Sequence, residues 1–141
     1  MVVKEEIRVV EKVWGREVIV VNREYCGKLL LLDKGARSSL HRHSRKTETF
    51  YCLAGQVGLE VEGKSYMLNP FARPKTITPG QFHSFWGISA ATILEVSSGH
   101  DDRDVFRLME SQAGEPGEWP DTIPIVKQVV LKEMLEGGAN V

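Results

Sequence analysis

Short apolar runs, each ended by turn-forming residues, make up most of the chain. Val57, Leu59 and Val61 alternate with other positions, which is the period of two expected of a half-buried strand. Similar runs rich in apolar or β-branched residues occupy positions 16–21, 28–32, 49–53, 65–68, 82–88 and 91–96. Turn residues separate these runs at 22–27, 33–35, 54–55, 63–64 and 79–80, with a proline-containing loop over 69–75. Many short strands with turns every 8–12 residues or so predict an all-β barrel or sandwich.

The two ends of the chain follow other patterns. A further strand is predicted over residues 7–13. Residues 99–104 form a charged loop, and residues 114–124 are too rich in proline and glycine for regular structure. Val126, Val130 and Met134 recur every four residues, which predicts one helix over 125–136, ended by the glycines at 137–138. We therefore expect a single domain, with a loop and short helix over about 105–137 after the strands.

Composition and charge narrow the function classes. With 141 residues, of which 42% are hydrophobic, the chain can bury a core without disulfides, and its two cysteines form no framework. The formal net charge of −1 argues against a nucleic-acid partner and against a polybasic membrane anchor. No apolar run approaches the roughly 18 residues of a membrane span, and the charged N-terminal segment does not read as a signal peptide. We expect a cytoplasmic protein with reduced thiols.

Two histidines one residue apart are the most informative feature. Residues i and i+2 of a strand share a face, so His41 and His43 aim their imidazoles at one point. Glu48 follows after a short loop, and His83 follows the Pro79–Gly80 turn. Histidines with one carboxylate are a ligand set for a divalent first-row metal. The alternative is a barrel of the same shape that has lost its metal.

The spacing around these residues resembles the first motif of the cupin superfamily. The resemblance rests on Gly35-x5-His41-x-His43-x4-Glu48-x6-Gly55. Pro79-Gly80-x-x-His83 is similar to the second motif, although the usual residue between Pro and Gly is absent and Gly87 stands where Asn is common. The resemblance implies a double-stranded β-helix (jelly-roll) barrel over about residues 15–97. It also implies one divalent transition metal (Mn, Zn, Fe or Ni) held by His41, His43, Glu48 and His83.

A narrower resemblance concerns the flanks of the motifs. Trp14-Gly15, Lys28, Ser39-Leu40, Glu95 and the Asp102-x-Asp104 segment follow the order found in the cupin domain of type II mannose-6-phosphate isomerases. This implies an aldose–ketose isomerase with a sugar or sugar phosphate as its ligand.

Five further residues are candidates for catalysis or substrate binding. Lys46 falls where the isomerases carry a basic residue, so we expect it to be catalytic. Glu95 lies in an apolar strand, where burial would make its carboxylate a stronger base, and it is the candidate for the catalytic base. Arg37 and Arg45 are candidates for binding an anionic substrate, and Phe85 is a candidate for the pocket lining.

The sequence is also consistent with two other functions. Three histidines and one glutamate also suit an iron- or manganese-dependent dioxygenase. A barrel of this kind can equally be a non-catalytic module that binds small molecules. We also expect a homodimer that uses the 7–13 strand or the C-terminal helix, since edge strands are usually paired or covered.

Overall fold

The structure is a computed structural model, and it describes residues 1–116. The helix predicted over 125–136 lies outside the described residues. Within residues 1–116 no helix is long and apolar enough to cross a membrane. The described part consists of strands β1 (Arg8–Lys12), β2 (Gly15–Asn22), β3 (Tyr25–Leu32), β4 (Leu40–Arg42), β5 (Glu48–Ala54), β6 (Val57–Val61), β7 (Lys64–Leu68), β8 (Lys75–Ile77), β9 (His83–Gly87), β10 (Ala91–Ser98) and β11 (Phe106–Met109).

Two antiparallel sheets form the fold, as the strand pattern predicts. The six-stranded sheet has the order β1-β2-β3-β10-β5-β8, and the five-stranded sheet has the order β11-β4-β9-β6-β7. Side chains such as Leu32, Phe50, Leu59 and Ile93 are almost fully buried in one cluster shared by the two sheets. Strands that are consecutive in sequence do not all pair. β10, for example, lies between β3 and β5 in the six-stranded sheet.

Turn chemistry explains how neighbouring strands connect. Glu62 and Gly63 have φ angles of 50° and 78°, so the β6–β7 hairpin turns on these two residues, one position before the predicted 63–64. Gly80 has a φ of 85°, and its amide donates a hydrogen bond to the carbonyl oxygen of His43 at 2.7 Å. This bond joins the two loops that carry the candidate ligands.

Two short strands escaped prediction. β8 and β11 contain three and four residues, too few to show a period of two. The strand expected at His41 and His43 is β4, which ends at Arg42. β11 pairs with β4, so the barrel continues beyond residue 97. Conversely, the predicted turn at 22–27 is shorter in the structure, because β3 already begins at Tyr25. The homodimer remains a prediction.

Candidate metal centre

Four side chains from both sheets meet at one point inside the barrel. His41 lies on β4 directly opposite His83, the first residue of β9, and His43 follows β4. Glu48 begins β5 in the other sheet. The ligand atoms of these four residues all lie within 4.8 Å of one another. The structure thus brings together all four residues that the sequence singled out.

Backbone carbonyls orient all three imidazoles in the same way. The Nδ1 atoms of His41, His43 and His83 lie 2.8, 2.7 and 2.9 Å from the carbonyl oxygens of residues 39, 104 and 81. Because a carbonyl oxygen only accepts hydrogen bonds, Nδ1 carries the proton in each ring. The Nε2 lone pairs are then free for a metal, which is how such secondary contacts fix a ligand's tautomer.

Two buried atoms at the centre lack a hydrogen-bond partner. Glu48 Oε1 and His83 Nε2 lie 2.6 Å apart, and neither forms a hydrogen bond of acceptable geometry. When the His83 ring is neutral, with its proton on Nδ1, both atoms are acceptors, and two buried acceptors in contact are unfavourable unless a cation lies between them. The residues present therefore fit a divalent metal ion, with three neutral nitrogen donors and one carboxylate oxygen.

Burial keeps the imidazoles of His41 and His43 in the form that binds metal. It lowers the pKa of His41 to about 3, helped by the nearby His83, and it also lowers the pKa of His43. Burial alone would raise the pKa of Glu48, but the positive charge of Lys46 holds that pKa well below its usual range. At neutral pH the centre therefore offers the neutral imidazoles of His41 and His43 and an ionised carboxylate.

These shifts predict that the metal-free protein loses stability in acid. The pKa of His41 is lower in the folded protein than its ordinary 6.5, so below about pH 6.5 the unfolded chain binds a proton that the folded chain does not. The free energy of unfolding should therefore fall as the pH drops from 6.5 towards 3. Urea unfolding of chelator-treated protein at several pH values measures this slope. His41→Gln should have a shallower slope, and an identical slope would contradict the assignment.

Lys46 joins the metal centre to a second carboxylate. Its ammonium lies 3.0 Å from Glu48 Oε2 and 3.0 Å from Glu95 Oε2, and all three side chains are buried. Its third donor points to Nδ1 of His100 at 3.1 Å. All three protons of the ammonium thus have a protein acceptor. This arrangement suits a residue that positions Glu48 and Glu95.

His100, which received no role from the sequence, belongs to the same network. Since its Nδ1 accepts from Lys46, its Nε2 donates to Asp102 Oδ1 at 2.8 Å. Asn22 holds the backbone of His100 through two hydrogen bonds of 2.9 and 3.1 Å. The charged loop over 99–104 is therefore fixed against the barrel and forms part of the site.

A cavity of about 600 Å³ opens beside the metal centre. Phe85 lies on its wall, together with Trp14 and Phe50. The Phe85 ring meets the rings of Trp14 and Phe50 edge to face, at centroid distances of 5.2 and 5.9 Å. Glu95 and Lys46 line the same cavity. A small molecule would thus lie between an aromatic wall and a row of charged groups.

Arg37 and Arg45, the candidates for binding an anion, do not line this cavity. Arg37 stacks on the Trp86 ring at 4.7 Å and lies 3.6 Å from Glu60. Arg37 also donates a hydrogen bond to the hydroxyl of the buried Ser84 at 3.1 Å. Arg45 is exposed and lies 3.6 Å from Asp101. Their expected contact with a substrate has no support in this geometry.

Three cavity residues were not given a role from the sequence. Glu17 and Lys28 form a buried ion pair at 3.0 Å on the cavity wall, and His100 lines the cavity as described. In the sequence, Lys28 is a charged residue directly before four leucines, and Glu17 is a charged residue within a run of β-branched residues. A charged residue within an otherwise apolar strand was the feature that could have identified both as site residues.

Comparisons with known proteins agree with this architecture. No protein-family profile matches the chain. A D-lyxose/D-mannose isomerase of Thermosediminibacter oceani is 34% identical, with 63% of this chain and 65% of that protein covered, so the chain spans about two thirds of this relative's length.

Solved structures give the same architecture. KdgF from Halomonas sp. has a TM-score of 0.61 at 18% identity, with 70% of this chain and 90% of that chain covered. The capsular polysaccharide assembling protein CapF from Staphylococcus aureus has a TM-score of 0.65 at 14% identity, with 74% and 34% covered. Streptomyces Pac13, a nucleoside dehydratase, has a TM-score of 0.62 at 15% identity, with 77% and 89% covered. The chain therefore has the cupin fold, as the spacing of its first motif implies.

Proposed function

We propose that this protein is a metal-dependent aldose–ketose isomerase whose substrate is an uncharged sugar, of the kind represented by D-mannose and D-lyxose. The observation that carries the proposal is the buried group His41, His43, Glu48 and His83 beside a cavity lined by the Lys46–Glu95 pair. The similarity to a D-lyxose/D-mannose isomerase supports the same reaction. Manganese, zinc, iron and nickel are the candidate ions, since all accept nitrogen and carboxylate ligands.

The charges of the cavity favour a neutral sugar over a sugar phosphate. Six carboxylates line it against four cationic side chains, and a divalent ion would balance that difference. The buried cations are already engaged, Lys28 by Glu17 and Lys46 by Glu48 and Glu95. Among the described residues, the exposed Arg107 is the one lining cation without a carboxylate partner, so a phosphate dianion would be only partly compensated here, and burying an unpaired charge is costly. Mannose 6-phosphate, suggested by the motif order, is therefore the less favoured substrate.

The chain's own residues supply the proton transfers of an isomerase. A bound divalent ion would polarise the carbonyl and the adjacent hydroxyl of the sugar. Glu95 is the base that takes the proton from the carbon next to the carbonyl and returns it to the former carbonyl carbon, while the hydroxyl proton of that neighbouring carbon passes to the former carbonyl oxygen. The recorded contacts of Glu95, from Lys46 and from the Ser97 hydroxyl at 3.0 Å, both use Oε2. Its other oxygen is the one that can receive the substrate proton.

The test is turnover of free sugars by metal-loaded protein. D-mannose and D-lyxose are incubated in deuterated buffer with each candidate ion, and ketose formation and deuterium at the carbon next to the carbonyl are followed by NMR. We expect conversion of the free sugars with kcat/KM at least about tenfold above that for mannose 6-phosphate, a difference of about 1.4 kcal/mol in transition-state binding.

Two outcomes would count against the proposal. A preference for the phosphorylated sugar would show that the charge argument is wrong. Metal-loaded protein that neither converts any aldose to a ketose nor exchanges deuterium into one would exclude the isomerase, and substrate-dependent oxygen uptake with Fe(II) would then identify a dioxygenase instead.

A further inference from the structure

A second buried ion pair lies on the cavity wall, outside the metal centre and its Lys46 network. Lys28 is 1% exposed, and its ammonium lies 3.0 Å from Glu17 Oε1. The other oxygen of Glu17 lies 3.9 Å from the ammonium of Lys12. All three residues line the cavity described above. The proposed chemistry at Glu95 does not use them.

Stability of the barrel does not account for this pair. The same faces of β3 and β10 carry the buried side chains of Leu30, Leu32 and Ile93. A buried ion pair is often no more stabilising than apolar side chains of the same volume, because desolvation offsets the attraction. An apolar pair would therefore serve the core at least as well.

The donors of Lys28 are also incompletely used. Within residues 1–116, its ammonium contacts one protein acceptor, Glu17, whereas all three protons of Lys46 are taken by protein groups. An ammonium has three donors. Two donors of Lys28 are therefore left on the wall of the cavity, for a ligand or for water.

Strand order places the pair at the far side of the cavity from Glu48. β2, β3, β10 and β5 are successive neighbours, and they carry Glu17, Lys28, Glu95 and Glu48 in that order. Lys28 lies directly opposite Glu95 in the strand register. With strands about 4.8 Å apart, the strand of Glu17 lies about 14 Å from that of Glu48. A ligand on the metal side of Glu95 can thus extend towards the Glu17–Lys28 pair.

We propose that Glu17 and Lys28 form a distal subsite that binds the hydroxyl groups of the sugar remote from the reacting carbons. The inference rests on the proposed function, since it concerns the other end of the same substrate. Lys28 donates to a hydroxyl oxygen, and the Glu17 carboxylate accepts a hydroxyl proton. Together the pair carries no net charge, which suits a neutral polyol. Binding energy from this remote end would determine which sugar lengths are used efficiently.

The experiment removes the pair without leaving a lone buried charge. The double variant Glu17→Gln/Lys28→Met keeps the shape of both side chains. Its matched control is Glu5→Gln/Arg23→Met, which removes an exposed ion pair of 2.6 Å outside the cavity. We expect the cavity variant to raise KM for five- and six-carbon sugars at least about tenfold, with a smaller effect on kcat. KM for a three-carbon sugar, too short to reach the pair, should change less than twofold or so.

A second measurement separates this inference from the proposed function. Calorimetry with mannitol, a polyol without a carbonyl, should show binding to the wild type at least about tenfold tighter than to the cavity variant. Equal binding, or no binding to wild type, would overturn the subsite even if the enzyme isomerises sugars. Loss of binding in the variant without any turnover by wild type would support the subsite and reject the isomerase. If the double variant does not fold, Glu17→Gln alone is measured in the same way. The expected change in KM and in mannitol affinity is then about threefold instead of tenfold.

Discussion

Replacing His43 by alanine should remove the bound metal and reduce isomerase turnover by about a thousandfold. His43 is buried, and its Nδ1–H is held by the carbonyl oxygen of Asp104, so its Nε2 is fixed as one of the four donors that residues 1–116 bring together. A Lewis-acid ion contributes several kcal/mol to charge stabilisation, and each 1.36 kcal/mol corresponds to a factor of ten in rate. Inductively coupled plasma mass spectrometry of chelator-free protein should find one ion per wild-type chain and almost none in the variant.

The matched control is Ser44→Ala, which changes an exposed side chain on the same loop. It should keep both the metal and the activity, because the recorded contact of Ser44 with Asp104 uses the backbone amide. A variant of His43 that keeps a full equivalent of metal would show that the four-residue group is not the binding site. Retained activity after complete loss of metal would instead exclude a role for the ion in the reaction.

The metal ligands were predictable because their chemistry follows from local spacing. The i, i+2 spacing brings His41 and His43 to one point even though His43 lies just after the end of β4, and a turn that brings Gly80 next to His43 helps to place His83. Strand pairing was harder to foresee, since the partners of β10 are β3 and β5, more than 35 residues away in sequence. Period and turn residues define strands, but they do not say which strands become neighbours.

The contacts among the other site residues could not be predicted without that strand pairing. The sequence placed Lys46 and Glu95 in the site, but only the proximity of β10 and β5 shows that their side chains meet at 3.0 Å. Arg37 and Arg45 seemed suited to an anion because they lie in and beside the motif, yet neither lines the cavity. Inward and outward positions are assigned by the pleat and the loops, which a count of nearby charges does not resolve.

His100 illustrates a different limit. Nothing in its local sequence distinguishes it from a surface histidine, because it lies in a charged loop. Its place beside Lys46 comes from two hydrogen bonds between Asn22 and its backbone, which span 78 positions of sequence. Such long-range contacts of loops are tertiary features, so local patterns do not predict them.

Replacing Lys46 by methionine should lower the free energy of unfolding of the metal-free protein by about 3–5 kcal/mol, the usual cost of removing one partner of a buried ion pair. Burial alone would lower the pKa of Lys46, but Glu48 and Glu95 hold that pKa above its ordinary value, so the ammonium stays charged and compensates both carboxylates. Without it, two buried carboxylates lose their shared cation.

Urea unfolding of chelator-treated proteins measures this loss, with the exposed Lys64→Met as a control that should change stability by less than about 0.5 kcal/mol. The double variant Lys46→Met/Glu95→Gln should recover part of the loss, because it removes one of the two uncompensated charges. A loss below about 1 kcal/mol in Lys46→Met would mean that water reaches these carboxylates in the folded protein. Lys46 would then be a solvated side chain, free to contact the substrate, and the catalytic role expected from the sequence would replace the positioning role that its three contacts indicate.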